Sequence, residues 1–359
     1  GFHGRWRTAL HALPARRAQG QTSPSARTGT PAGSSPAKPA PLRKVAALGV
    51  TLVGSGLVVV TLMSNLFAVG PAFENLIGDF RPALTQSSIN TARTDIAGLS
   101  AVQQEFTTKL APALSQQLKM TPDQFNGFVS KNFPAVAAGM GALPTAVPTF
   151  NGLINTLDKQ RPLFASADAI PTTSLPATTV PWGMLGAGIL VFLIGLAMLR
   201  SPKAGGAVAI VVGLLLVLLP LALSLPGKAA DADQLNANLK PVYTQALVDN
   251  ATGALATIGA MGTEMKTTML PALATQLKMS PEQLQTFLGA NFPATAQALQ
   301  TMPASMERFN GLVKVFNNNL GNYGTLKPVG LERLIWIMMG AGGLVAVLGG
   351  LTVVTARKK

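Results

Sequence analysis

Four stretches of this chain, about 45–66, 183–199, 206–225 and 334–354, are long, apolar and free of any charged residue. Each approaches the ~20 residues that a helix needs to cross ~30 Å of hydrocarbon. The second is the shortest, and Pro181-Trp182 carries it to the interface. Buried helices of soluble proteins seldom run so far without one charge. Composition agrees: charged residues make up 12% of the chain and hydrophobic ones 48%, against roughly 25% charged in an ordinary soluble domain. The expected fold class is therefore all-α, an integral membrane protein with four transmembrane helices. The first stretch is too long for a signal peptide, and Ser64-Asn65 offers no small-x-small cleavage pattern.

Charge placement gives an expected orientation. Arg5, Arg7, Arg16, Arg17, Arg27, Lys38, Arg43 and Lys44 precede the first span with no acid among them. Arg200 and Lys203 lie between spans two and three, and Arg357, Lys358 and Lys359 follow the fourth. All the acids lie in the two long segments, which are nearly neutral. The positive-inside rule puts the basic side in the cytoplasm and both long segments outside. Residues 1–44 read as a disordered basic cytoplasmic tail, rich in Pro, Ser, Gly, Ala and Arg. Then come span 45–66, external helical domain 67–181, span 182–199, cytoplasmic link 200–205 and span 206–225. External helical domain 226–333, span 334–354 and a basic cytoplasmic end at 355–359 complete the order. The pI near 10.5 then records topology; no aromatic-basic interleaving marks a nucleic-acid partner.

The chain also repeats itself. QLKMTPDQF at Gln117–Phe125 returns as QLKMSPEQL at Gln276–Leu284. Setting Leu110–Leu157 against Met269–Phe316 without a gap gives about 20 identities in about 48 positions. At the same offset, about 159 residues, span one falls on span three, and Trp182 later meets Trp336 after about five residues are lost. The repeating unit is span, external segment, span. Two spans return to the starting side, so the copies are tandem and parallel.

Within each external segment the pattern is helical. Leu99, Val102, Phe106, Leu110, Leu114 and Leu118 recur at spacings of three and four. Thr121-Pro122-Asp123-Gln124 and Ser280-Pro281-Glu282-Gln283 fit a structural helix cap: hydroxyl at N-cap, Pro at N1, acid in the first turn, Gln at N3. Asn132-Phe133-Pro134 and Asn291-Phe292-Pro293 read as structural corners, because proline ends one helix and starts the next. Their phenylalanines either plug a bundle core or line an apolar ligand pocket. Phe150–Leu153 and Phe309–Leu312, both FNGL, are expected to be helix with a weak point at Asn-Gly. Segments 163–181 and 317–330 look like loops leading back to the membrane.

Chemistry is harder to find. There is no cysteine, and the two histidines, His3 and His11, lie in the basic tail, so no metal set or thiol nucleophile is expected. No paired carboxylates, GxSxG elbow, phosphate loop or HExxH helix occurs. Glu105 and Glu264 align between the copies, and Glu105, next to Phe106, is expected to face solvent. The spans hold no ionisable group, which counts against an ion-coupled transporter; Pro220 is the best candidate for a helix break. Gly183, Gly186, Ala187 and Gly188, with Gly340, Ala341, Gly342 and Gly343, suit close helix packing in lipid. Trp182 and Trp336 are expected as membrane-interface anchors. The expectation is a non-enzymatic bacterial envelope protein of the plasma membrane, with no cofactor. Its duplicated external bundles would bind or scaffold an envelope protein or lipid partner, with membrane lipids around it and no nucleic acid. Alternatives are an accessory or carrier for a lipid-like molecule, and an envelope sensor input subunit.

Overall fold

The computed structural model describes residues 42–357, so most of the basic tail discussed above lies outside the described residues. Fourteen α-helices and two short π-helical turns fill this range, with no strand among the described residues. Four helices are long and apolar enough to span a membrane. These are α1 (Leu42–Met63), α7 (Thr179–Arg200), α8 (Pro202–Ala222) and α14 (Leu331–Arg357). Between α1 and α7 lie α2 (Leu66–Phe80), α3 (Gln86–Glu105), α4 (Ala111–Gln117), α5 (Pro122–Asn132) and α6 (Pro134–Asp168). Between α8 and α14 lie α9 (Leu225–Leu239), α10 (Gln245–Glu264), α11 (Leu270–Leu277), α12 (Pro281–Asn291) and α13 (Pro293–Leu326). The two sets follow in the same order.

The spans cross at glycines. A Cβ on Gly54 would stand 2.3 Å from the Phe192 amide nitrogen and 2.8 Å from the Gly188 carbonyl oxygen. At the matching positions, a Cβ on Gly213 would stand 2.5 Å from both the Ala346 nitrogen and the Gly342 oxygen. Bare backbone therefore touches backbone where α1 meets α7 and where α8 meets α14, the arrangement in which helices gain contact area in lipid. Helix α14 also packs on α1, and α7 on α8. Gly183, Gly186, Gly340 and Gly343 meet nothing within 4 Å, so only part of the small-residue pattern serves packing.

Both inter-span segments contribute to one apolar core rather than to one bundle each. Helix α3 packs on α6 and α10 on α13, as neighbours within each half. Helices α10 and α6, α3 and α13, α2 and α13, and α9 and α6 pack across halves. Phe150 and Phe309, which occupy matching positions, meet with ring centroids 5.2 Å apart. Leu99, Val102, Phe106, Leu110 and Leu114 are all buried. The long helices α6 and α13 run unbroken through both FNGL sequences, burying Phe150, Leu153, Ile154 and Leu157 in the first. At 1.5 Å per residue, the 35 residues of α6 extend about 52 Å.

The expectation of loops needs correction. The stretches from residue 163 and from residue 317 do not begin as loops. Helix α6 continues to Asp168 because Phe164 and Ala167 face the core, and α13 continues to Leu326 because Asn319, Tyr323 and Leu326 are buried. Only Ser201 separates α7 from α8.

The backbone has four positive-φ residues other than glycine among those described, at matching places: Asn65 with Ser224, and Lys119 with Lys278. The first pair lets the chain leave a span and start α2 or α9. The second closes α4 and α11, where Met120 N donates to Ser115 O at 2.8 Å and Met279 N to Ala274 O at 2.9 Å. That is the bond of a Schellman cap, with lysine where glycine is usual. The π turns, Phe106–Leu110 and Met265–Met269, precede Pro112 and Pro271; a widened turn relieves the clash of a proline ring with the turn before it.

Candidate functional site

The residues singled out by the repeat sit at the corners of the fold. Thr121 Oγ1 accepts from Gln124 N at 3.3 Å, while Gln124 Oε1 accepts from Thr121 N at 2.9 Å. Ser280 and Gln283 make the same exchange at 3.2 and 2.8 Å. Pro122 and Pro281 open their helices, and Asp123 and Glu282 lie in the first turns. A hydrogen bond from its own backbone amide, and then one from the Ser280 hydroxyl, hold the Glu282 carboxyl below its usual range. Asn132 and Asn291 donate to Phe128 O and Phe287 O. The chain then bends by 115° between α5 and α6, where Pro134 follows the buried Phe133; Pro293 follows the buried Phe292 in the other half. Phe133 packs edge-on to Phe128, and Phe292 to Phe287, so both rings plug the core.

Glu105 departs from expectation. It is 6% exposed, and its carboxylate accepts from Thr295 N at 2.7 Å and Ala294 N at 3.4 Å. These are amides of the first turn of α13, in the other half. Glu264 returns the contact, accepting from Val136 N in the first turn of α6 at 2.7 Å. Because Pro134 and Pro293 open these helices after a phenylalanine, neither has a local side chain to cap it, and the opposite half supplies the acid. The neighbour Phe106 misled the sequence reading, since the covering helix lies about 190 residues away. A second matched pair ties the bundle to the spans. Glu74 accepts from Ala177 N at 2.9 Å, ahead of α7. Asp233 accepts from Leu331 N and Glu332 N at 2.9 and 3.0 Å, at the start of α14.

Between the ends of the spans and the base of the bundle lies an apolar cavity of about 420 Å³, within the range of small-molecule sites. Its floor is formed by α7 and α8, which are joined at Ser201 and line it at their opposite ends. Met184, Ala187, Leu216 and Pro220 are among the residues there. Its roof is the start of α2 and α9, with Leu66, Phe73, Leu225 and Ala229, and one wall is α14, with Leu334 and Met338. Thr179 is the one lining side chain with a polar atom, and its hydroxyl already donates to Pro176 O at 2.7 Å. Leu215 and Leu219 line it while remaining 56% and 58% exposed, so it opens sideways along the span surface. Pro220, suspected as a helix break, lies within α8 and belongs to this floor. Trp182 lies between two lining residues with its ring outside, against Phe67 at 5.0 Å; Trp336 donates to Glu332.

A small chamber of about 30 Å³ adjoins the cavity, sharing Phe73 and Leu331 with it. It holds Tyr243 and Tyr323, the only two tyrosines of the chain, stacked at 4.5 Å, together with Asn236 and Asp233. Tyr243 OH and Asn236 Oδ1 are buried and have no hydrogen-bond partner among the described residues. Burial, then the proximity of Tyr323 and Asp79, pushes the Tyr243 phenol above its ordinary range. Burial also raises the Asp233 carboxyl, against the two amides that it accepts from.

The cavity escaped the sequence reading because its lining is ordinary leucine, glycine and proline drawn from six places in the chain. The orphaned Tyr243 and Asn236 carry no motif either. A third hollow, of about 430 Å³, lies beside α11 and α12 with Lys266, Gln285 and Gln300 among its leucines. No three His, Cys, Asp or Glu side chains come together as a metal site among the described residues. Comparison with protein-family models, with curated proteins and with solved structures finds no match.

Proposed function

We propose that this protein binds lipid from the surrounding bilayer, holding a hydrocarbon chain in the cavity between its spans and its bundle, and that it is not an enzyme. The observation that carries this reading is the cavity itself: about 420 Å³, lined by one polar side chain, and flanked by exposed leucines of a span. A dry, apolar space of that kind suits hydrocarbon and repels water-soluble ligands. The reading includes an architecture of two tandem parallel units in a bacterial plasma membrane, both termini cytoplasmic and both inter-span segments external. It is supported by the matched helix order and by the basic residues gathered on one side of the spans. Reporter fusions at positions 140, 203 and 300 test the orientation; position 203 should report cytoplasmic and the others external.

Native mass spectrometry of the full-length protein released from mild detergent tests the binding. Wild type should carry lipid, and Leu216→Trp, which fills the cavity, should lose it. No bound lipid on wild type, or equal binding by the variant, would sink the proposal. A second reading is favoured by the hollow beside α11 and α12: the bundle scaffolds another envelope component there. Crosslinking from Gln285 that captures no protein or glycan counts against it.

A further inference from the structure

A hydrocarbon chain that moves from the bilayer into the cavity exchanges one apolar surrounding for another. The hydrophobic effect therefore adds almost nothing to that step. Selection among lipids must come from polar contacts at one end of the chain. The cavity wall offers little, since the Thr179 hydroxyl is already engaged. The adjoining chamber offers more. Asn236 Oδ1 can only accept, and the Tyr243 phenol can donate or accept. Both are buried, both line the chamber, and neither has a partner among the described residues. Leaving two such atoms unsatisfied is costly, so a built group of this kind points to a ligand or a water. A hydroxyl offers the complement of each, a donor for Asn236 and an acceptor for Tyr243.

The chamber also says what does not belong there. No basic side chain lines either space, and the Asp233 carboxylate lines the chamber. A phosphate or carboxylate head would lose its hydration without gaining a cation. A quaternary ammonium would meet that acid, but about 30 Å³ has room for only one or two water-sized groups. We infer that the preferred ligand is a neutral lipid with a free hydroxyl head, its chain in the cavity and its hydroxyl between Asn236 and Tyr243. This rests on the lipid-binding reading above and narrows it to one chemical class.

Titrating the full-length protein in micelles with 1-hexadecanol, hexadecane and hexadecyl phosphate, read by native mass spectrometry, separates the two ideas. Wild type should favour the alcohol over the alkane by about 3- to 10-fold, the worth of one net hydrogen bond, and over the phosphate by more. Tyr243→Phe removes only an unpartnered hydroxyl, so the fold should hold, and the alcohol-to-alkane ratio should fall towards one. Asn236→Leu, read the same way, should do likewise. Equal binding of alcohol and alkane by wild type, a ratio unchanged in both variants, or preference for the phosphate would overturn the hydroxyl assignment while leaving lipid binding in place. Failure of all three probes to bind would overturn the lipid-binding reading itself.

Discussion

Replacing Glu105 with alanine is the sharpest probe of how the two halves hold together. Its carboxylate is 6% exposed and lies 2.7 Å from Thr295 N, with a longer contact of 3.4 Å to Ala294 N. Without it, the first turn of α13 has amides with no acceptor in a place that water cannot easily enter. A buried orphan amide costs about 1–3 kcal/mol, and losing an anion at a helix N-terminus costs about 0.3–1 kcal/mol more. The long contact to Ala294 adds little. Glu105→Ala should therefore destabilise by about 1–4 kcal/mol. Glu105→Gln keeps an acceptor oxygen and loses the charge, so its cost should be nearer 1 kcal/mol. Glu264 makes one such contact, to Val136 N, from a half-buried position. Glu264→Ala should cost about 1 kcal/mol, the usual worth of a cap. Equilibrium unfolding of the full-length protein in mixed micelles of rising denaturant fraction, followed by circular dichroism, gives the order. If Glu105→Ala lies within about 0.5 kcal/mol of wild type, the level of a bland surface change, or if Glu264→Ala costs more, the reciprocal capping argument fails.

Other outcomes follow from single contacts, measured in the same unfolding assay. Gly54→Ala and Gly213→Ala should each destabilise by about 1–3 kcal/mol through overpacking, while Gly56→Ala, whose Cβ meets nothing within 4 Å, should be neutral or stabilising. Thr295, 1% exposed with an unpartnered hydroxyl, matches Val136 in the other half; Thr295→Val should stabilise by about 1 kcal/mol, and a loss would contradict the orphan assignment. Lys278→Gly should gain about 1 kcal/mol by relieving a left-handed lysine at φ 52. The Asp158 carboxyl is held below its usual range chiefly by the hydrogen bond from Arg93, and also by Arg161. Its folded pKa is depressed, so its contribution is present above the unfolded value, about 3.9, and is lost as pH falls through the lower folded value. Asp158→Asn should flatten that acid limb by lowering stability at neutral pH, while leaving stability below the folded value little changed.

The four helices able to span a membrane were legible because such a helix is written locally, as a run of about 20 apolar residues; α1 and α8 begin about three or four residues earlier than the apolar runs suggested. Helical spacing of Leu99, Val102, Phe106 and Leu110 was legible for the same reason. Glu105 was not, since a residue's burial depends on what covers it, and α13 is remote in sequence. The shared core was hidden by the likeness of the two segments, which read equally well as two bundles or as two halves of one. Helix beyond residue 317 was obscured by Asn317, Asn318, Asn319 and Gly321, which favour turns in isolation. There Asn319 is fully buried, donating to Asp79 at 2.8 Å, so tertiary contact overrides the local preference.

The exchange of carboxylates between halves also sets an order on synthesis. A chain made only as far as Arg200 already holds both of its first spans, and Gly54 can close on Gly188 without help. Yet its Glu105 has no α13 to cap, Phe150 has no Phe309, and α6 waits for Glu264. The first half must then wait with one flank of its long helices bare until the second emerges. Such contacts, 128 to 190 residues apart in sequence, close slowly, and the exposed interval is when a chaperone or a second copy has its best chance to bind. Splitting the gene at Ser201 and expressing the pieces together would show whether the halves still find each other once that waiting is made equal.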